Sequence, residues 1–293
     1  MNLADYIASQ QKRVDDTLDR WVPPETENPS IIHRAMRYSL FAGGKRVRPL
    51  LAIASAEAVS DAPVGVESAA CVLELIHTYS LIHDDLPALD NDDLRRGKPT
   101  CHKVFGEAMA ILAGDGLLTL AFETLANAPI EPARRVRIIA EIGAGAGTVN
   151  GMVGGQVADV EAERKPVDGA GLEYIHRSKT AALIRSSVVA GAIAGGARDE
   201  DVERLRRFGE NIGWAFQVVD DILDVEESSE SLGKTAGKDQ AQQKATYPAL
   251  YGLEKSHTIA AELEAKALRE LDCYGERAKN LRQLGELLVA RRS

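Results

Sequence analysis

Phe216-Gln217-Val218-Val219-Asp220-Asp221-Ile222-Leu223-Asp224 is the stretch whose reading decides the fold. Asp220 and Asp224 stand four residues apart, so on a helix they share a face, with Gln217 one turn earlier. The apolar neighbours imply that this face points into a semi-buried cleft. An unpaired carboxylate is costly there, so a metal or a basic ligand is expected. Outward from this stretch the helical signal continues almost throughout. Ala, Leu, Glu and Arg fill most segments and aromatics are only 5%, which favours helix over strand. The patterning predicts helices over Leu3–Trp21, from a capping Ser30 to Gly43-Gly44, and over Arg48–Val59, Val66–His83, Ala108–Ala126 and Glu131–Val149. Further helices are predicted over Glu173–Gly191, Asp201–Asp224, Tyr247–Leu253, Ser256–Cys273 and Ala278–Ala290. No strand alternation with hairpin punctuation is seen, and no Pro/Ser-rich linker separates halves. The expectation is a single all-α domain over residues 1–293. The polar, glycine-containing stretch Glu226–Lys244 reads as a mobile loop that orders on an anion, and Arg291-Arg292 suits the same closure.

Composition narrows the function. The 293 residues carry 35 Lys and Arg against 44 Asp and Glu, a net charge of −9, which argues against nucleic-acid binding by counterion release. No apolar run is read as approaching the ~20 residues that span a bilayer. The opening Met1-Asn2-Leu3-Ala4-Asp5-Tyr6 lacks the basic-then-apolar layout of a signal peptide. Cys71, Cys101 and Cys273 are few, odd in number and far apart, as suits free thiols in a reducing compartment. A soluble cytoplasmic protein is expected.

A second acidic cluster, His83-Asp84-Asp85-Leu86-Pro87-Ala88-Leu89-Asp90-Asn91-Asp92-Asp93, follows an apolar helix and closes on Arg95-Arg96. A solvated acidic helix end is the plain reading of such a run. Here, though, Pro87 should end or kink the helix, letting Asp90 swing back toward Asp84. Two clusters of hard oxygen ligands on one helical chain suit Mg²⁺ bridging to phosphate oxygens better than zinc. The cations answer them. Gly43-Gly44-Lys45-Arg46-Val47-Arg48-Pro49 places three beside a diglycine, and Lys45 and Arg48 can meet one anion together. His77 lies two turns before Asp84, Lys179 sits mid-helix among apolar residues, and Lys234, Lys238 and Lys244 occupy the polar loop. A net-acidic chain that gathers cations around two carboxylate clusters is organised to hold polyanions with divalent metal. Polyphosphorylated substrates follow; their organic part does not.

These residues also carry a resemblance. Gly43–Pro49, His77–Pro87, Asp92–Thr100, Gly155-Gln156, Lys179-Thr180, Phe216–Asp224 and Ala245–Leu250 occur in the order found in the trans-prenyltransferases, and the chain most resembles the bacterial farnesyl diphosphate synthases. The resemblance implies the isoprenoid synthase fold, a helical bundle around a deep central cavity, in a homodimer. It implies head-to-tail condensation of isopentenyl diphosphate with dimethylallyl and then geranyl diphosphate, giving farnesyl diphosphate and pyrophosphate. About three Mg²⁺ ions, replaceable by Mn²⁺, would meet the departing charge. By the same resemblance Asp84, Asp90 and Asp220 are the principal metal ligands, with Asp85, Asp221 and Asp224 supporting. Arg95, Lys179 and Lys234 would hold the allylic diphosphate, with Lys244 beside it. Gly44, Lys45, Arg48, His77 and Arg96 would hold isopentenyl diphosphate, and Thr180 and Gln217 would face the allylic carbon. The family often has glycine after its Lys-Thr pair, where this chain has Ala181.

Product length turns on the cavity floor. Tyr79 lies about one and a half turns before Asp84, roughly 7–8 Å along the axis, whereas the helical wheel puts Ser80 nearer the Asp84 face. An aromatic at position 79 resembles the farnesyl type, so a fifteen-carbon product is expected, with the twenty-carbon geranylgeranyl product (or geranyl) as the alternative. An inactive regulatory subunit is opposed by the intact aspartate motifs. A terpene cyclase would not require Lys45, Arg48 and His77.

Overall fold

The structure, a computed structural model, describes residues 2–162, 167–230 and 245–290, the side chains of 227–230 excepted. Its helices are α1 (Leu3–Trp21), α2 (Ser30–Leu40), α3 (Val47–Val59), α4 (Val66–Asp84), α5 (Cys101–Phe105), α6 (Glu107–Ala126), α7 (Pro132–Ala146) and α8 (Met152–Ala162). They continue as α9 (Gly169–Ile175), α10 (Ala182–Gly195), α11 (Asp199–Glu230), α12 (Tyr247–Tyr251), α13 (Leu253–Arg269) and α14 (Lys279–Val289). A π-helical turn, His176–Ala181, joins α9 to α10, and a 3₁₀ segment, Asp272–Ala278, leads into α14. Three strongly apolar helices, α3, α4 and α10, are buried on nearly every side, as suits a helix hydrophobic all round. α10 packs against α3, α7, α11 and α4. Its Gly191 lets the helices touch closely, since a Cβ there would lie 1.9 Å from the Ala52 carbonyl oxygen. α1 is amphipathic instead and turns Tyr6, Val14 and Leu18 inward.

Several expectations need correction. Ser30 is the first residue of α2 and does not cap it; Pro29 precedes it with no side-chain cap bond. α8 was not foreseen, because Gly151, Gly154 and Gly155 lower its local helix propensity. The helix expected over Glu173–Gly191 is divided by the π turn. α11 runs to Glu230 rather than Asp224. Among the described residues there is one short antiparallel hairpin, Leu94–Arg95 paired with Lys98–Pro99, its turn made by Arg96 and Gly97, both at positive φ. α6 is 20 residues long with a mean hydropathy of 1.5, enough by length and composition to cross a membrane, so the reading that no apolar run approaches that length does not hold. In this structure Ala110, Ala113, Leu117, Ala121 and Leu125 of α6 are buried in the core. Lys234, Lys238, Lys244, most of Glu226–Lys244 and Arg291-Arg292 lie outside the described residues.

Candidate active site

The first acidic wall is made by the end of α4. The helix stops at Asp84, and the chain curls so that the Asp90 N–H donates to the Asp84 carbonyl at 2.9 Å, while Leu89 and Asn91 N–H donate to Leu86. Asn91 takes φ 50 to complete the return. Asp84 and Asp90 are thereby neighbours despite their sequence spacing. Burial above all, with the charges of Asp90 and Asp85 adding, pushes the Asp84 carboxyl up to about 6 against the opposing pull of Lys179 and Arg95. Asp85 is engaged by a cation of the hairpin. It is 3% exposed and takes Arg95 Nε at 2.7 Å and Nη2 at 2.6 Å, so it aims the arginine that the hairpin presents.

Facing this wall is the π turn. A π turn widens the backbone ladder by one residue, and here it carries Lys179 and Thr180. Lys179 Nζ donates to Asp159 of α8 at 2.6 Å. Burial alone would lower its pKa, but the charges of Asp159, Asp84 and Asp90 hold the ammonium above the ordinary lysine range. Asp159 was missed in the sequence, although it lies three residues beyond the Gly155-Gln156 pair. Gly155 explains the glycine: a Cβ there would stand 2.1 Å from the Lys179 backbone nitrogen, so only glycine lets α8 press against the π turn.

The second acidic wall is on α11. Thr180 Oγ1 donates to Gln217 Oε1 at 2.8 Å, which docks the π turn one helical turn before Asp220. Asp220 is exposed and Asp224 half-buried. Asp221 points elsewhere: it accepts the Tyr247 backbone N–H at 2.9 Å, and His176 Nε2 lies 3.4 Å away. Burial pushes His176 down to about 4, and its ring stacks on Tyr247 at 5.2 Å. Asp221 thus ties α11 to the π turn and α12.

The cations divide sharply. Arg46 is 4% exposed, at φ 50, and bonds Glu74 at 2.7 Å, Asp15 at 2.9 Å and the Leu40 carbonyl. It is a structural cation. Arg48, in the first turn of α3, has a buried Nε with no hydrogen-bond partner among the described residues, and burial, with Arg96 adding, pushes it down to about 10. His77 is driven well below the usual histidine range by burial and then by Arg48, Arg96 and Arg95. Gly44, at φ 135, leaves the space that the Arg96 guanidinium fills, 2.5 Å from where a Cβ would be. Arg48 and Arg96 thus stand beside His77 with Glu74 as the acid that acts on both, an arrangement whose two guanidiniums can grip an anion. Lys45 is exposed and, unlike Arg48 and His77, does not line the cavity beside the first acidic wall and the π turn. That cavity is about 310 Å³ and reaches from Arg48 and His77 past Asp84, Lys179 and Thr180 to Tyr79, Ser80 and His83.

Such a bundle, with two carboxylate walls, a cluster of cations and an apolar recess, has close relatives. The family model described as polyprenyl synthetase matches residues 29–284. The chain is 52% identical over 279 residues to the chloroplastic geranylgeranyl pyrophosphate synthase of Capsicum annuum, covering 94% of this chain and 75% of that one. It is 54% identical over 273 residues to the heterodimeric geranylgeranyl pyrophosphate synthase large subunit 1 of Arabidopsis thaliana, covering 91% and 73%. The solved structure of a putative farnesyl-diphosphate synthase from Marinomonas sp. MED121 superimposes with a TM-score of 0.85 at 40% identity, over 99% of both chains. The chain therefore belongs to the polyprenyl synthetase family, the trans-prenyltransferases that extend allylic diphosphates.

Proposed function

We propose that the chain condenses isopentenyl diphosphate with dimethylallyl, geranyl and farnesyl diphosphate in turn, releasing geranylgeranyl diphosphate. The observation that carries this is the pair of relatives above 50% identity that are named geranylgeranyl pyrophosphate synthases, whereas the likeness to a putative farnesyl-diphosphate synthase is 40%. This replaces the fifteen-carbon expectation as the leading reading. One feature favours the shorter product: the Tyr79 ring, 7% exposed, lines the cavity. The products made from isopentenyl and dimethylallyl diphosphates with Mg²⁺, sized by mass, decide between them. A main twenty-carbon product is expected, and accumulation of fifteen-carbon product with isopentenyl diphosphate in excess overturns the reading. If Tyr79 is the floor, Tyr79→Ala lengthens whichever product the wild type makes.

The donor set fits Mg²⁺. Among the described residues no three His, Cys, Asp or Glu side chains converge as a metal centre of their own, and Mg²⁺ needs only one or two carboxylates with phosphate oxygens and water completing its shell. Asp84 and Asp90 on one wall and Asp220 and Asp224 on the other would hold it. When bound it supplies Lewis-acid neutralisation of the departing pyrophosphate. The chain's own residues do the rest. Lys179 and Arg95 hold the allylic diphosphate by fixed charge. Arg48, His77 and Arg96 hold isopentenyl diphosphate. Thr180 and Gln217, bonded to each other, present oxygen dipoles beside the allylic carbon without a basic group to attack it. The isopentenyl double bond is the nucleophile, and a pyrophosphate oxygen takes the final proton.

Two further expectations belong here as proposals. A homodimer is supported by the outward side of α6, where Ile111 and Leu112 are each 46% exposed in the manner of an interaction patch. A reducing, cytoplasmic setting is supported by three free cysteines.

A further inference from the structure

The recess of the cavity ends at a contact between α4 and α6 that the chemistry does not use. His83 lies one turn after Tyr79 on α4, and both rings line the recess. They meet edge to face, centroids 5.8 Å apart and planes at 75°. The other end of the imidazole is fastened. Its Nε2 stands 3.0 Å from the Ile111 carbonyl oxygen of α6, with Asp115 Oδ1 at 3.9 Å. A carbonyl only accepts, so Nε2 carries the hydrogen. The ring also fills the notch left by Gly114, where a Cβ would fall 2.1 Å from Nε2 and 2.5 Å from Cδ2.

We propose that His83, seated in the Gly114 notch and bonded to the Ile111 carbonyl, is a positioning residue that fixes the Tyr79 ring and so sets how long a prenyl chain the recess admits. A side chain so held has one place to be. Tyr79 alone has an exposed edge to swing into the recess; with an imidazole pinned against it, the ring is backed by a helix of the core. Removing the imidazole frees the tyrosine ring to turn aside and deepens the recess. Adding a methyl at 114 drives the imidazole off its seat, toward Tyr79 and into the recess, and shortens it. The inference rests on chain elongation, not on whether the wild type stops at fifteen or twenty carbons.

The test compares product lengths of the full chain and its variants with isopentenyl and dimethylallyl diphosphates and Mg²⁺, each read against the wild type's own main product. His83→Ala should raise the ratio of the product one isoprene unit longer by about tenfold or more, the discrimination a few methylenes give in an apolar pocket. Gly114→Ala should favour the product one unit shorter. The double variant should match His83→Ala, because the space the methyl needs is then vacant. His83→Gln, whose amide nitrogen can reach the Ile111 carbonyl, should keep the wild-type length. A folded His83→Ala with unchanged products, or without activity, overturns the proposal: the imidazole would then serve packing or chemistry, not depth. If circular dichroism shows that Gly114→Ala fails to fold, His83→Ala and His83→Gln decide it alone, and equal product lengths in those two overturn it. The readout is a shift relative to wild type, so it stands or falls separately from the twenty-carbon assignment.

Discussion

Gly155→Ala tests whether the π turn is held by close backbone contact. The added Cβ would stand 2.1 Å from the Lys179 nitrogen and 2.6 Å from its Cα. Backbone cannot rotate out of the way as a side chain can, so α8 and the π turn must part by on the order of 1 Å. Overpacking of that kind destabilises by about 1–3 kcal/mol. The larger effect is on turnover, because Lys179 and Thr180 move with the turn, and a 1 Å misplacement of catalytic groups costs roughly 100-fold. The control is Gly143→Ala in α7, where a Cβ meets nothing within 4 Å; in a helix interior it should stabilise by about 0.5–1 kcal/mol and leave kcat unchanged. Steady-state kinetics at saturating substrates and thermal melts followed by circular dichroism measure both. Gly155→Ala with wild-type kcat would refute the reasoning, since the π turn would then tolerate displacement.

Other outcomes follow from the same geometry. Asp84→Ala and Asp220→Ala should each lower turnover by orders of magnitude with unchanged circular dichroism, and near-normal turnover in either would remove it from the metal wall. Arg48→Ala should raise KM for isopentenyl diphosphate at least tenfold while moving KM for the allylic substrate much less, because a charge-assisted bond is worth about 1.5–3 kcal/mol; equal shifts in both would misplace the cation cluster. Glu74→Ala should destabilise by about 1–3 kcal/mol in urea unfolding, because it removes the 2.7 Å bond of the buried Arg46 while Asp15 still pairs with it, and Arg46→Met with Glu74→Leu should recover most of the loss. If the double variant is no more stable than Glu74→Ala, the pair is not an isolated unit.

How much of this was legible depended on whether the cause was local. The face shared by Asp220 and Asp224 follows from helical spacing, and the return of Asp90 follows from Pro87 ending α4. Both are short-range. Arg46 and Arg48 are two residues apart and chemically alike, yet one is consumed by Glu74 and Asp15 while the other lines the cavity. The difference arises because α3 begins at Val47, so the left-handed Arg46 turns toward α1 and α4, and no pattern around it announces that. α8 was invisible for the opposite reason. Its glycines argue against a helix locally and are required by a contact with the π turn more than twenty residues away. The pairs Asp85–Arg95 and Asp221–Tyr247 are likewise tertiary: each second aspartate of a pair braces a neighbouring element in the fold, which its place in the sequence does not announce.

The charge arrangement predicts that the two diphosphates bind by different rules. An anion beside Arg48 and Arg96 meets two guanidiniums, with His77, kept neutral chiefly by burial, next to them, so it needs no metal. An anion beside Asp84 and Asp90 meets Lys179, but Lys179 is also engaged by Asp159 at 2.6 Å. The carboxylates there therefore repel it until a divalent cation intervenes. Chelation with EDTA should then leave isopentenyl diphosphate binding within about threefold of its value, a change under 1 kcal/mol, while binding of a non-ionising thio-analogue of dimethylallyl diphosphate falls at least 100-fold. Titration calorimetry of the full chain measures each ligand separately. Equal losses for both ligands would mean that metal also organises the cation cluster, and the division of the site into a fixed-charge half and a metal-dependent half would be wrong.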